Sequence, residues 1–303
     1  QNNIMKKTAK CFLCLMSIAV FSACTNENES LVTDDGTGIP MKLLAQMLPI
    51  QTRATVDNVW NGNEQISVSD GNKAVTYRIT DANGSMQVVD ADNPLYWASA
   101  LEAQEVKAWY PATANNVEPT TWSVEQDQST MSAFQASDML YVSTEVALQG
   151  NKTLPLEHVT AKVIVNLKGD GSNEEALENA IVTIENTLLN ATVSDGSLTA
   201  VQETPQTMIP YTIMPPISDN LLSYQMLMVP QSIEGKTFIK IQTASDTYVY
   251  QPKVGDATFQ GGYKYIYNIT VGKPGIAVEV IKSNNQWGND GEEKVNLESI
   301  PAI

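Results

Sequence analysis

The chain has one histidine, His158, and two arginines, Arg53 and Arg78, among 303 residues. Its three cysteines, Cys11, Cys14 and Cys24, all lie in the first 24 positions. Each scarcity excludes something. With no cysteine after Cys24, neither a disulfide nor a thiolate metal cluster can form in the rest of the chain. One histidine cannot supply a zinc-binding pair, and no G-x-S-x-G marks a serine nucleophile. Positive charge is scarce as well, with Lys+Arg 18 against Asp+Glu 34 and a formal net charge of −16. That balance disfavours nucleic acid and anionic membrane surfaces as partners. The apolar run from Cys11 to Ala23 is 13 residues, too short to span a bilayer.

That run has the length of a signal-peptide core, and Lys6, Lys7 and Lys10 precede it. Met5 reads as the initiator and residues 1–23 as the signal peptide. The stretch Phe21-Ser22-Ala23-Cys24 resembles a bacterial lipobox, with small residues leading into the cysteine that is lipidated. Cys24 is therefore the expected lipidation site, and the polar, acidic TNENESLVTDDGTG after it the expected tether. The alternative is an ordinary secretory signal with an incidental cysteine.

Beyond the tether the dominant period is two. In AVTYRIT, Val75, Tyr77 and Ile79 alternate with Thr76, Arg78 and Thr80; in YKYIYNITV, Tyr263, Tyr265, Tyr267, Ile269 and Val271 share a face. VKAWYPA, HVTAKVIVNL, AIVTIEN, YQMLMVP, TFIKIQT and IAVEVIK behave alike. Turn pairs such as Asn83-Gly84 and Asp195-Gly196 punctuate them. The pattern predicts an all-β chain of antiparallel sandwiches, with one helix-like run at residues 173–181. A polar turn at residues 148–152 suggests a domain break, giving an N-terminal sandwich over 54–150 and a C-terminal one over 151–303.

Catalytic and metal candidates are thin. His158 is expected to open the strand HVTAKVIVNL, on the face opposite Val159, Ala161 and Val163, without a partnered acid and nucleophile. A structural role is the simpler reading, and no catalytic residue is assigned. Asp90-Ala91-Asp92-Asn93 and Asp170-Gly171-Ser172-Asn173-Glu174 lack the spacing of a calcium loop and read as acidic turns. No metal site and no cofactor are expected. The five tryptophans, Trp60, Trp97, Trp109, Trp122 and Trp287, are scattered as core residues are, although a sugar-stacking platform is the competing possibility.

Taken in order, the landmarks resemble the fimbrillin family of Bacteroidales, lipoprotein precursors of type V pili, and their Mfa-like relatives. They are the lipobox and acidic tether, MKLLAQMLPI leading into Thr52-Arg53-Ala54-Thr55, and Trp60 with NGNEQISV. VKAWYPA, SDMLYVST, LPLEHVTAKVIVNL, MVPQSI, FQGGYKYIYNITV and IKSNNQW follow. Asn63 and Glu64 depart from the family's G-D-x-I-G-V, and Leu156 stands where the family has Phe.

The resemblance implies two transthyretin-like β-sandwich domains and a stalk, tip or anchor subunit that joins other pilus subunits by strand exchange. It implies a lipid anchor in the outer membrane, and an arginine-specific protease that removes the segment 24–53 by cutting between Arg53 and Ala54. The alternative is that Arg53 lies in an uncut linker, as expected of an anchor subunit. Met41, Leu43 and Ala45 of the discarded segment could line one face of a strand. The donor strand is sought in the tail 288–303, where Val295 and Leu297 alternate. A host receptor or glycan is a further possible partner. The competing reading is a surface glycan-binding lipoprotein of a polysaccharide-uptake system.

Overall fold

The computed structural model describes residues 38–48, 59–172, 174–253, 257–273, 275–283, Trp287 and the backbone of 293–301. The first strands are β1 (Leu44–Met47), β2 (Gln65–Ser69), β3 (Ala74–Ile79), β4 (Met86–Val88), β5 (Gln104–Tyr110) and β6 (Thr121–Ser123). Helix α1 (Met131–Ala136) precedes β7 (Leu140–Val146), β8 (Thr153–His158) and β9 (Ala161–Gly169). Helix α2 (Glu174–Leu177) leads into β10 (Ile181–Thr187), β11 (Asn190–Ser194), β12 (Ser197–Ala200), β13 (Gln206–Met208), β14 (Tyr211–Thr212) and β15 (Leu222–Met228). The remaining strands are β16 (Ile239–Gln242), β17 (Thr247–Tyr250), β18 (Lys264–Gly272), β19 (Gly275–Lys282) and β20 (Glu293–Pro301). The chain is all-β, as its period-two pattern predicts.

Seven strands form one sheet in the order β1-β8-β7-β5-β2-β3-β4. In β3 the alternation works as expected: Val75, Tyr77 and Ile79 are buried while Arg78 is exposed. With Ile66, Val68, Val106, Ala108, Leu140, Leu154 and Leu156 they build the first core. A six-stranded sheet, β14-β15-β9-β18-β19-β20, and a four-stranded sheet, β13-β10-β16-β17, supply the second core. There Val163, Val165, Tyr267 and Ile269 of one sheet share a cluster with Val182, Ile239, Ile241 and Tyr248 of the other. A three-stranded sheet, β12-β11-β6, completes the set.

Two pairings are parallel, β1 with β8 and β9 with β18; the other pairings between these strands are antiparallel. Strand β9 lies between β15 and β18, and Ala161 to Leu167 are buried without a break. An interior position explains why AKVIVNL is apolar on both faces rather than alternating. Residues 147–152 form the turn of the β7–β8 hairpin, and β8 packs Leu154 and Leu156 into the first core. Chain from before that turn also reaches the second core: β6 pairs with β11, and Val124 joins its cluster.

One turn fastens strands of the two cores. The hairpin between β11 and β12 has Gly196 at φ 72°, where a Cβ would meet the Tyr141 ring of β7 at 2.2 Å. Beside it Lys107 Nζ of β5 donates to Asp195 Oδ1 at 2.9 Å. The Asp195 side chain is largely exposed, so shape rather than charge carries most of this contact.

The helix expected over residues 173–181 is the single turn α2, because the apolar residues after it enter β10. Helix α1 carries no sequence periodicity at six residues; its signal is Thr130, whose side chain accepts from the Ala133 N–H as an N-cap.

Candidate functional site

The sequence Met41-Lys42-Leu43-Leu44-Ala45 alternates, and the structure uses that alternation at the sheet's boundary. Met41, Leu43 and Ala45 are 3%, 2% and 1% exposed in the first core, whereas Leu44 is 42% exposed. On one side β1 runs parallel to β8, with Leu44 opposite Thr153 and Met47 opposite Leu156. On the other side Leu44 bridges Ser85, just before β4. The segment is therefore slotted between β8 and the turn before β4, and satisfies backbone groups on both. Met41 N–H donates to Leu95 O, Ala45 N–H to Gly84 O and Leu48 N–H to Leu156 O, at 2.8, 2.8 and 2.9 Å. The indole N–H of Trp60 donates to Ala45 O at 3.0 Å. Burying Met41 and Leu43 contributes about 3–6 kcal/mol of gross apolar stabilisation.

Gly84 makes the close approach possible. Its φ is 81°, and a Cβ there would fall 1.8 Å from the Ala45 carbonyl oxygen. Gly84→Ala is expected to lower stability by about 2 kcal/mol or more, through backbone strain and displacement of β1. For a chain of this size that is a fall of roughly 3 °C or more in Tm. Scanning calorimetry with limited proteolysis checks it: an unchanged Tm and an equally protected 38–48 segment would show that the slot does not need this glycine.

The same turn is held electrostatically. Ser85, through its side chain first and its backbone N–H next, hydrogen-bonds Asp81 and keeps its carboxyl below the ordinary value of 3.8. A lowered folded value means that this contribution is fully present above the ordinary Asp range. It is lost as pH falls through the lowered value.

His158 departs from the strand position expected of it. It closes β8 rather than opening the next strand, because the pairing stops before β9 begins at Ala161. Its side chain is enclosed, with Nδ1 3.0 Å from Asp138 Oδ1. The ring stacks on Trp287 at 3.5 Å between centroids and 17° between planes. Lys162 Nζ lies 5.3 Å from the Trp287 ring and 5.6 Å from that of Phe134. The result is a packed pile of aromatic and charged groups joining α1, β8, β9 and the approach to β20. Sequence reasoning missed it because Phe134 and Asp138, His158 and Lys162, and Trp287 come from three separate parts of the chain.

Beside this pile opens a cleft of about 750 Å³. Trp60, Tyr110, Phe134 and Tyr211 form part of its wall, with the carboxylates Glu64 and Asp138 among them. Burial first, then the charges of Asp138 and Glu64, push the Tyr110 pKa up to about 12. Among the described residues no group of three or more His, Cys, Asp and Glu is arranged to hold a metal. Asp90 and Asp170 instead accept from the backbone N–H groups of Asp92 and Ser172, turning the chain.

Cys24, Arg53 and Ala54 lie outside the described residues. Val295 and Leu297 fall in β20, the outermost strand of the six-stranded sheet, paired antiparallel to β19. A register shift sets Val295 opposite Val280 and Leu297 opposite Glu279, which point to different faces of β19. The simple alternation of the sequence is thus interrupted in this pairing.

A family model described as fimbrillin-like matches residues 52–287. Over 320 aligned positions the chain is 23% identical to a candidate fimbrium subunit, Fim1C, of Bacteroides uniformis, covering 97% of this chain and 100% of that protein. A crystal structure of a candidate cell adhesion protein from Bacteroides uniformis superposes with a TM-score of 0.64 at 19% identity, over 82% of this chain and 99% of that one. Another from Bacteroides ovatus gives 0.64 at 18% identity, over 83% and 99%. At these identities the two structures establish the shared fold.

Proposed function

Since the chain belongs to the fimbrillin-like family, a family of fimbrial and adhesion subunits and not an enzyme class, we propose that it is a stalk, tip or anchor subunit of a type V pilus. In this reading it is exported as a lipoprotein and joins its neighbours by strand exchange after cleavage beside Arg53. The observation that supports this best is the seating of β1. A strand held between β8 and the turn before β4 by burial on one face leaves, when withdrawn, unpaired backbone on both sides and an apolar groove. An extended segment of a neighbour can satisfy both. The partners are then other pilus subunits, an arginine-specific protease and the outer membrane through a lipid on Cys24. We retain two sandwich domains and set their division after β8, where the first core ends.

Surface-sheared material is expected to run as a denaturation-resistant ladder, because strand withdrawal from a closed sheet is slow. Material that is wholly monomeric would contradict assembly by strand exchange. The glycan-binding alternative needs an exposed aromatic platform, but Trp60, Trp97, Trp109 and Trp287 are 5%, 4%, 1% and 3% exposed, and Trp122 is half-buried against the second core. Lipidation has its own test. Cys24→Ala is expected to abolish labelling by a fatty-acid analogue and to release the protein from the outer membrane; persistent labelling in that variant would refute the assignment.

A further inference from the structure

We propose that the cleft beside the His158–Trp287 pile receives a lysine or arginine side chain carried on an extended, apolar segment of another protein. Three observations carry this. The first is charge. Glu64 and Asp138 line the cleft, Asp138 with one oxygen 3.0 Å from His158 Nδ1, and the described lining includes no lysine, arginine or histidine. Lys162, which touches the rings of Phe134 and Trp287, is fully buried and does not line it.

The second is an unmet hydrogen bond. Glu64 Oε1 accepts from the Asn61 N–H at 2.8 Å, while Glu64 Oε2 is shielded from solvent and has no hydrogen-bond partner. A carboxylate oxygen without a donor is costly, and a cationic donor in the cleft, met by a small rotation of the Glu64 side chain, is the partner that recovers most.

The third is the rim. Val59, Met131 and Met214 are exposed at 48%, 37% and 74%, and all three line the cleft. Exposed apolar groups gathered at one opening mark an interaction surface, and methionine adapts to varied apolar partners. The aliphatic stem of a lysine or arginine fits such a rim while its head reaches the carboxylates.

A sugar fits less well. Stacking needs an open aromatic face, but Trp60 is buried with its N–H committed to Ala45 O, and Trp287 is stacked on His158. The tail a second copy would offer, residues 293–303, carries Glu293 and Glu298 against the single Lys294, so it suits the cleft's charge poorly.

The test is fluorescence anisotropy of the full chain with a labelled peptide of alternating leucine and lysine, at low and physiological salt, against a leucine–glutamate counterpart. The lysine peptide is expected to bind, the glutamate peptide not. Glu64→Gln is expected to weaken binding about tenfold, the loss of one charge-assisted hydrogen bond. Met214→Lys, at a position that is 74% exposed, should weaken it comparably. Asp92→Asn, an acidic turn residue outside the lining, should leave it unchanged. Absence of binding, or full binding by both cleft variants, overturns the proposal. So does an equal loss in Asp92→Asn, which would mean diffuse charge attraction, or equal binding of a peptide copying residues 293–303. An oligosaccharide displaced by the lysine peptide would reassign the cleft to glycan and overturn it too. Ladder formation by Glu64→Gln keeps this outcome separate from the fimbrial reading.

Discussion

Arg53→Ala is expected to leave a folded, lipidated monomer that forms no ladder. The chain has only one other arginine, Arg78. Its backbone is paired on both sides, opposite Gln65 of β2 and Gln87 of β4. A protease needs an extended, unpaired stretch of chain, which the interior of a sheet denies. Cleavage at Arg53 would cut the covalent link between the 38–48 segment and the sheet it enters. While linked, the segment rebinds at an effective concentration in the millimolar range, so each opening is reversed. Once cut, it is held by little more than the burial of Met41, Leu43 and Ala45 and a few backbone hydrogen bonds. A neighbour's strand can then compete. The check is a surface-sheared gel of the variant beside wild type. Ladders of wild-type length from Arg53→Ala would remove cleavage at this site from the assembly route.

Truncation after Trp287 is the second large effect, and under the proposed strand exchange it is expected to act on the donating side. It removes β20, which pairs with β19 from Lys282 to Gly275. Since β19 keeps β18 as its other neighbour and its own Ile276, Val278 and Val280 in the second core, the truncated chain is expected to fold. Ending after Trp287 also leaves the stack on His158 in place. Such a chain can accept a strand but has none to give, so in mixtures with wild type it should shorten ladders in proportion to its share. Alone it should form none. Circular dichroism and ladder length measured on the same preparations decide the matter, and truncated protein that polymerises like wild type would place the donor elsewhere.

Much of the fold was legible because period two is a local signal. AVTYRIT, YKYIYNITV and IAVEVIK became β3, β18 and β19 within a residue or so at most ends. The burial of Met41, Leu43 and Ala45 was legible for the same reason. What escaped was set by tertiary context. HVTAKVIVNL looked like one strand, but the chain breaks after His158, which belongs to the first sheet, while Ala161 begins a central strand of another. The two parallel pairings could not be read, since they join strands far apart in sequence. The cleft was invisible for a related reason: Glu64, Asp138 and Met214 share no motif, and only the meeting of separate elements brings them to one opening.

The measurement closest to the central claim is the N-terminal sequence of protein recovered from individual ladder rungs. A start at Ala54 is expected, with Met41, Leu43 and Ala45 gone and their slot taken by a neighbour. Assembled subunits that still begin at a lipidated Cys24 would contradict it, because the slot would then remain filled by the chain's own strand.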